Sequence, residues 1–269
     1  SYGRVVVIAG SKDMSGACYL SGEAAYRMGC GLVHIVTAQK NAEVIRIKLP
    51  EAIVTGWSEN VTAEQETDIT AAIHKAAAVV IGPGLGQEAG AERLLDLVLQ
   101  EAKKLPELPV VIDADGLNLL SDNKDLLDRL ADRKFIFTPH MKEMSRLTGI
   151  PVEDLREDRI QILKKFADGY QVTCVLKDSR TLIADKANEI CLNLTGNSAM
   201  AKAGSGDVLA GVIAGFMVQE KDTKKAARLG TYVHGLAGDL AKFEKGVYSV
   251  MARDLIEYIS KALMKLEDE

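Results

Sequence analysis

The stretch RVVVIAG at Arg4–Gly10, followed by SGACYLSGEAAYRMG at Ser15–Gly29, sets a pattern that the rest of the chain repeats. The run of β-branched residues predicts a buried strand, and the glycine predicts the turn that ends it. The second segment carries small residues on one face and predicts a helix. A strand, a turn and a helix in this order indicate one crossover unit of a parallel sheet.

The same order recurs along the chain. A helix is predicted at Gly90–Lys104, and mostly helices from about Ser205 to Leu266. No linker rich in Pro, Gly or Ser divides the sequence. We therefore predict one α/β domain over residues 1–269, with a mostly parallel central sheet flanked by helices on both faces. Further segments that begin as strands are Leu32–Ala38, Ala77–Gly86, Pro109–Leu120, Lys134–His140 and Gln171–Asp178.

Composition narrows the classes of function. The 269 residues are 47 % hydrophobic but only 5 % aromatic, and the net charge is 33 − 38 = −5. This mild acidity argues against nucleic acid or an anionic membrane surface as a partner. The four scattered cysteines form no CxxC pair, so neither a zinc site nor a disulfide framework is indicated. Reduced thiols and the lack of an apolar run of about 18 residues favour a cytoplasmic protein.

Polar or glycine-rich segments directly follow several of the predicted strands. The carboxyl ends of parallel strands meet at one edge of a sheet, and open α/β sheets bind ligands there. We therefore expect these segments to form one site. They are Gly10–Ser11, Gly82–Gly86, Asp113–Asn118, Thr138–Glu143 and Lys177–Thr181.

The segment NSAMAKAGSGDVLAG, at Asn197–Gly211, is neither a Walker A loop nor a dinucleotide fingerprint. Gly204 and Gly206 permit a tight turn, and a helix that begins near Ser205 would direct its positive end at an anion. Asp207 then lies in the first helical turn. There it either accepts a proton from a hydroxyl that attacks a phosphoryl group, or simply complements the helix dipole.

TPHMKEM places His140 and Glu143 three residues apart, on one face of a predicted helix. Glu143 could support Mg²⁺ through water, or it could cap the helix. In LKDSRT, Lys177 could meet nucleotide phosphates, or the segment could be an ordinary polar hairpin. His234 is expected to pack between helices.

The glycines of GPGLG allow a ligand to approach the backbone closely. DADGLN offers two carboxylates, Asp113 and Asp115, to which we assign no catalytic role. An anion site, a base, a glutamate that supports a metal and a lysine loop, taken together, indicate phosphoryl transfer from a nucleotide to a hydroxyl.

From Gly3 to about Ile259 the chain resembles the NAD(P)H-hydrate dehydratases of the ribokinase-like superfamily. The resemblance is carried, in order, by AGSKDMSGACYLSGEAAYRMGCGLV, VIGPGLG, DADGLN, TPHMKEMSRLTG, LKDSRTLI, NLTGNSAMAKAGSGDVLAG and HGLAGDLA. It implies repair of hydrated NADH and NADPH. The ring hydroxyl is phosphorylated by ADP or ATP, and phosphate then leaves to restore the double bond.

The resemblance also implies roles for individual residues. Asp207 is the catalytic base and contacts the hydrated ring, and Glu143 supports Mg²⁺ through water. The remaining residues fall into three sets. The hydrated cofactor is bound by Ala17, Gly84, His140 and Asp207, the adenine nucleotide by Lys177, Asp178, Ser179, Arg180, Thr181 and Gly206, and the anion by Gly204, Ser205 and Gly206.

Two departures from the family pattern are Met141-Lys142, where many members have Pro-Gly, and Ala203–Asp207, where many have Gly-Gly-Thr-Gly-Asp. Lys142 adds a cation beside the proposed metal-supporting glutamate. The serine in place of threonine keeps the hydroxyl.

The resemblance further implies a homotetramer and an epimerase as a fused or separate partner. The chain does not begin with Met, which favours a fragment of a longer protein. The choice between ADP and ATP stays open, with ADP favoured because the chain looks bacterial. The alternatives are a vitamin-precursor or sugar kinase of the same superfamily and a nucleotide sensor without catalysis.

Overall fold

The computed structural model describes residues 2–127, 130, 134–187 and 189–267. Nine strands form one sheet in the order β3–β2–β1–β4–β5–β6–β7–β8–β9. Pairing is parallel from β3 through β7, and the β7–β8 and β8–β9 pairs are antiparallel. The strands are β1 Arg4–Ile8, β2 Leu32–Ala38, β3 Ile53–Trp57, β4 Ala78–Ile81, β5 Val110–Ile112, β6 Phe135–Phe137, β7 Thr173–Leu176, β8 Leu182–Ala184 and β9 Ile190–Leu192.

Helices cover both faces of this sheet, and two short 3₁₀ helices span Gln39–Asn41 and Ser198–Met200. On one face α1 packs on β1 and β2, α10 packs on β4 and β5, and α11 packs on β6, β7 and β8. The α-helices are α1 Ser15–Arg27, α2 Ala42–Lys48, α3 Ala63–His74, α4 Ala89–Lys104, α5 Asp115–Asp122, α6 Lys124–Leu127, α7 Met141–Thr148, α8 Val152–Glu157, α9 Arg159–Gly169, α10 Ser205–Met217, α11 Thr223–Lys245 and α12 Ala252–Glu267.

The central strands are buried on both sides, as their continuous apolar runs require. Val5 and Val7 of β1 point into the core beneath α1 and α10, whereas Val6 and Ile8 point into the core on the opposite face. This alternation confirms the predicted α/β class and the mostly parallel sheet between helical layers. It also brings the carboxyl ends of β1, β4, β5, β6 and β7 to one edge, as predicted.

The sequence prediction missed both edge strands. β3 and β9 are only partly buried, so they lack the continuous apolar run that identified the central strands. Thr173–Leu176 and Leu182–Ala184 form the two arms of an antiparallel hairpin, and Lys177–Thr181 connects them. The hairpin interpretation of LKDSRT is therefore confirmed, and the segment lies at the carboxyl edge of the sheet. The contact of Lys177 with nucleotide phosphates stays a prediction.

No helix among the described residues combines the length and the apolarity needed to cross a membrane.

Helices α1 and α10 approach each other closely because glycine forms part of the contact. A Cβ atom on Gly211 of α10 would overlap the backbone oxygen of Ser21 and lie 2.9 Å from the Cβ of Ala24. The contact matters for function because α10 begins at Ser205, in the glycine-rich segment.

We expect Gly211→Ala to lower the free energy of unfolding by about 1–3 kcal/mol, since overpacking there outweighs the gain in helix propensity. Gly16→Ala is the matched control, because Gly16 lies in helix α1 and a Cβ there would meet nothing within 4 Å. The free energy of unfolding of that variant should be about 0.5–1 kcal/mol higher than that of the unmodified protein. Urea unfolding of both proteins checks the pair, and equal stabilities would contradict the close contact.

Candidate functional site

The loops after β1 and β4 are bonded to each other at the carboxyl edge of the sheet. Gly10 N–H donates to Pro83 O at 2.9 Å, and Ser11 N–H donates to Gly84 O at 2.5 Å. Asp115, in the first turn of α5, accepts a hydrogen bond from Gly86 N–H at 2.9 Å. One carboxylate of DADGLN therefore has a structural role, because it holds the GPGLG loop.

Beside these loops lies a cavity of about 840 Å³. Its walls come from the ends of β5, β6 and β7, the start of α10, the chain after β9 and the middle of α11. All six residues predicted for the nucleotide line it together. The predicted residues on its walls are His140, Glu143, Lys177, Asp178, Ser179, Arg180, Thr181, Ser205, Gly206 and Asp207.

A buried ion pair crosses the floor of this cavity. Lys177 Nζ lies 2.6 Å from Asp113 Oδ1 and 4.0 Å from Glu143 Oε2, and Asp113 is only 1 % exposed. Burial lowers the pKa of Lys177, but the two carboxylates outweigh burial and the net pKa is raised. Lys177 is therefore a fixed cation. Its backbone N–H donates to Pro139 O at 2.8 Å, which holds it beside the TPHMKEM segment.

The glycine-rich segment starts α10 against that ion pair. Gly204 has φ +90°, where a side chain would be strained, and a Cβ there would lie 2.7 Å from Leu20 Cδ1. A Cβ on Gly206 would lie 3.3 Å from Lys177 Nζ. Ser205 N–H already donates to Lys202 O at 3.3 Å. Since the first N–H groups of a helix have no partner within it, Gly206 offers an amide to an anion beside the lysine.

Asp207 follows in the first turn of α10, as the sequence predicted. Burial raises its pKa to about 6, repulsion from Asp113 adds to the rise, and attraction to Lys177 opposes it. A carboxylate with a pKa near 6 is ionised at neutral pH and is a stronger base than an ordinary aspartate. Perturbation of this kind is typical of functional carboxylates.

His140 and Glu143 form a capping box at the start of α7. His140 Nδ1 accepts from Glu143 N–H at 3.0 Å, and Glu143 Oε2 accepts from His140 N–H at 2.8 Å. Burial raises the pKa of Glu143, attraction to Lys177 lowers it, and repulsion from Asp113 raises it further, for a net increase. The capping interpretation of this glutamate is thus realised in the geometry, while its carboxylate still borders the cavity.

The carboxylate oxygens of Glu143 are also the candidate ligands for Mg²⁺. Within the described ranges, no group of three or more His, Cys, Asp or Glu side chains could hold a metal ion directly. Mg²⁺ commonly keeps several waters and binds substrate phosphates with only one or two carboxylates. The residues here fit such an ion, with Glu143 reaching it through water. Lys142, the departure beside it, is exposed on α7.

Ala17 and Gly84, predicted to bind the hydrated cofactor, meet on another side of Asp207. A Cβ on Gly84 would lie 2.8 Å from Ala17 Cβ. Ser21, on the same helix as Ala17, donates to Asp207 O at 2.9 Å. The described residues that line the large cavity do not include Ala17 and Gly84, nor Gly204 of the predicted anion site. Asp207 thus lines the large cavity, and its backbone carbonyl is bonded to the helix that carries Ala17.

Asp113 and His234 contribute more than the sequence indicated. Asp113 was assigned no catalytic role, yet it pairs with Lys177 and lines the cavity. Its position directly after a buried strand was the available signal. His234 packs in the helical layer, as expected, and also borders the cavity, with Nε2 3.5 Å from Ser205 Oγ. Burial lowers the pKa of His234 to about 4, so it is neutral at pH 7.

The residue after Asp113 is strained. Ala114 has φ 48°, a left-handed value that alanine rarely adopts, and it lines the cavity. The turn is closed by Gly116 N–H, which donates to Asp113 O at 3.0 Å. Strain of this kind persists only where the surroundings enforce it, and it concentrates at functional sites. Here the strained residue directly follows Asp113, whose carboxylate pairs with Lys177.

The arrangement suits transfer of a phosphoryl group. The helix start and Lys177 would supply positive potential for phosphate, Asp207 could act as a base, and all three border one cavity.

Comparison with known proteins agrees with this geometry. A family profile described as NAD(P)H-hydrate dehydratase matches residues 5–261. A bifunctional NAD(P)H-hydrate repair enzyme of Moorella thermoacetica is 36 % identical over 277 residues, covering 100 % of this chain and 50 % of the relative. The chain thus spans about half the length of that relative.

Two solved structures share the fold. A ribokinase-like superfamily protein of Enterococcus faecalis has a TM-score of 0.85 and 32 % identity, covering 98 % of this chain and 87 % of its own. An ADP/ATP-dependent NAD(P)H-hydrate dehydratase of Bacillus subtilis, co-crystallised with ATP and Mg²⁺, has a TM-score of 0.83 and 32 % identity, covering 98 % and 90 %.

The raised pKa of Asp207 has a consequence for stability. Its pKa is about 6 in the folded chain, against an ordinary value of 3.8. Ionisation above pH 6 therefore costs the folded state up to about 3 kcal/mol. We expect Asp207→Asn to raise Tm by several degrees at pH 7.5, since each kcal/mol is worth roughly 2–4 °C in a domain of this size. The gain should shrink as the pH falls from 6 towards 4, because the folded state is then protonated and the unfolded state approaches its own pKa of 3.8.

Asp254→Asn is the matched control with the opposite sign. Burial raises the pKa of Asp254, but Lys245 and the Met251 N–H outweigh burial and lower it. Its stabilising effect is present at neutral pH and is lost as the pH falls, so this variant should lower Tm at pH 7.5. Scanning calorimetry from pH 4 to 8 checks both variants. A lower Tm for Asp207→Asn at pH 7.5 would show that its carboxylate is not destabilising.

Proposed function

The chain belongs to the NAD(P)H-hydrate dehydratase family, and from this premise we propose that it restores hydrated NADH and NADPH to their reduced forms at the expense of ADP or ATP. The observation that carries the proposal is Asp207, a half-buried carboxylate of raised pKa. It follows Gly206, which lies against the fixed cation Lys177. A nucleotide binder without turnover has no use for a base at that position.

In the proposed reaction, Asp207 accepts the proton of the ring hydroxyl. The oxygen of that hydroxyl attacks the terminal phosphorus of the nucleotide at the same time. The bond from phosphorus to the bridging oxygen breaks, and AMP leaves from ADP, or ADP from ATP. Phosphate then departs from the ring with loss of a ring proton, and the double bond is restored. Hydroxide is a poor leaving group and phosphate a good one, which explains the need for a nucleotide.

The residues of the chain divide this work by position. Lys177 and the Gly206 amide hold the transferring phosphoryl group, because both present positive potential at the start of α10. The hairpin residues Asp178–Thr181 border the nucleotide cavity. Ala17 and Gly84 lie where α1 reaches Asp207, which suits the hydrated ring, and His140 borders the opening.

Mg²⁺ would neutralise charge on the nucleotide phosphates, with Glu143 reaching the ion through water. The bifunctional name of the Moorella thermoacetica relative, of which this chain covers half, supports an epimerase as a fused or separate partner. The proposal also includes that residues 1–269 act as one domain. It further includes that the protein is cytoplasmic and forms a homotetramer.

The decisive assay supplies hydrated NADH with Mg²⁺ and, separately, ADP or ATP. We expect the absorbance band of the reduced nicotinamide to return, with release of orthophosphate and of AMP or ADP. A stable phosphorylated ring product would instead identify a kinase. Hydrated NADH left unchanged with both nucleotides would overturn the dehydratase proposal. The ratio of the two rates also decides the donor.

Replacing Asp207 by Asn should lower kcat by roughly 10²-fold or more, the scale for loss of a general base, while ADP still binds. Since the pKa of Asp207 is about 6, kcat/KM of the unmodified enzyme should fall as the pH drops below that value. Asp222→Asn is the control, because Asp222 caps the distant start of α11. Near-normal turnover of Asp207→Asn would remove this residue from the mechanism.

Lys177→Ala should raise the KM for nucleotide more than it lowers kcat, because it removes the cation beside the anion site. The same change leaves Asp113 buried without its partner, which costs about 3–5 kcal/mol. The double variant Asp113→Asn/Lys177→Ala separates the two effects, since it has no unpaired carboxylate at position 113. Steady-state kinetics with Lys165→Ala as a surface control test this, and an unchanged nucleotide KM in the double variant would contradict the phosphate role.

A further inference from the structure

One wall of the nucleotide cavity is a loop without charge. The chain from Asn193 to Met200 reads NLTGNSAM, and Asn193, Thr195, Gly196, Asn197, Ser198 and Met200 all line the cavity. The cations of the cavity lie elsewhere on its walls, at Lys177, Arg180 and Lys202. A nucleotide has one charged part and one uncharged part, so this wall of amides, hydroxyls and thioether matches the nucleoside rather than the phosphates.

The polar side chains of this loop, hereafter the 193–200 loop, are used to fix its own shape. Thr195 Oγ1 donates to Asn193 Oδ1 at 3.1 Å and lies 2.9 Å from Tyr232 O. Asn193 Nδ2 donates to Thr195 O at 3.0 Å, and Asn197 Oδ1 accepts from Ala199 N–H at 2.9 Å. The loop thus offers a preformed surface, which lowers the cost of ordering it when a ligand binds.

One carboxylate on α11 anchors the loop from behind. Asp239 Oδ2 accepts from Gly196 N–H at 3.0 Å, and Asp239 Oδ1 accepts from Asn197 Nδ2 at 2.8 Å. Both oxygens thus bind consecutive residues of the loop. Such charge-assisted bonds are roughly twice as strong as neutral ones.

Two glycines of α11 let the 193–200 loop approach this helix closely. A Cβ on Gly235 would overlap Thr195 Oγ1 and lie 2.7 Å from the Thr195 carbonyl carbon. A Cβ on Gly238 would overlap Met200 Sδ and lie 2.7 Å from Met200 Cγ. Residues 235, 238 and 239 are three and four positions apart and so share one face of α11.

We propose that Gly235, Gly238 and Asp239 form a seat on α11 that holds the 193–200 loop as the wall for the nucleoside of the phosphoryl donor. Asp239 is thereby a positioning residue for the donor. The inference rests on the proposed function, since it assigns one part of the nucleotide to one part of the same cavity. It explains why HGLAGDLA, distant from Asp207 in sequence, combines two glycines with an acid.

The chain offers matched controls for each seat residue. Asp222 is a second carboxylate of α11 that accepts two hydrogen bonds, from the N–H groups of Lys224 and Lys225, but at the far end of the helix. Gly230 is a second glycine of α11 with a tight contact, since a Cβ there would lie 2.8 Å from Ile213 Cγ1. Asp222→Ala therefore matches Asp239→Ala, since each removes a carboxylate that accepts two hydrogen bonds. Gly230→Ala matches Gly235→Ala, since each overpacks α11. Neither control residue contacts the 193–200 loop.

The experiment measures binding of ADP with Mg²⁺ by calorimetry, and of pyrophosphate with Mg²⁺ by competition, to the whole chain. We expect Asp239→Ala and Gly235→Ala to weaken ADP about tenfold or more and pyrophosphate less than twofold. Asp239→Asn, which keeps one acceptor oxygen, should give an intermediate loss. Both controls should bind ADP within about twofold of the unmodified protein. Hydrogen exchange of the 193–200 amides should rise in Asp239→Ala and stay unchanged in Asp222→Ala.

Each alternative result has a distinct meaning. Equal ADP affinity in Asp239→Ala and Asp222→Ala would overturn the seat while leaving the proposed function intact. Equal loss of ADP and pyrophosphate would overturn the assignment of the wall to the nucleoside. If the unmodified protein bound no adenine nucleotide and left hydrated NADH unchanged, the proposed function itself would be wrong. The assignment of the 193–200 loop to the nucleoside would then be wrong as well.

Discussion

The ion pair between Asp113 and Lys177 is the interaction on which the site depends. It joins the ends of β5 and β7, which are separated by β6 in the sheet, and it lies beneath the first turn of α10. A buried ion pair contributes little net stability, but loss of one partner is costly because the other charge remains buried. The pair therefore keeps the sheet edge in one arrangement. That arrangement places the lysine cation against Gly206.

The same pair bears on how a carboxylate can follow the proposed phosphate-binding turn. Asp207 would repel a phosphate placed on it, but the proposed anion site lies one residue earlier, at Gly206 beside Lys177. Burial raises the pKa of Asp207 to about 6, repulsion from Asp113 adds to the rise, and attraction to Lys177 opposes it. The fold thus accepts a destabilising charge at this position, and the resulting base strength suits the proposed proton abstraction.

Local patterns in the sequence predicted much of this site, although not how its parts connect. Glycines at 204 and 206 before an apolar run indicated the start of α10 and the place of Asp207 in its first turn. The β-branched runs indicated the central strands. Edge strands β3 and β9 escaped detection because their half-buried residues lack a distinctive period. Asp113 and Asp239 also escaped, since each acquires its role from a partner 64 and 43 residues away.

The sequence by itself determined the order of strands, turns and helices, and hence that polar loops would gather at one edge of a parallel sheet. It did so because backbone propensity and apolar periodicity are local properties. Only the tertiary structure decided which side chains meet at that edge. Sheet order sets which strand ends are neighbours, and burial then sets the charge of each group. That is why Asp115 holds a loop while Asp113, two residues earlier, holds the lysine.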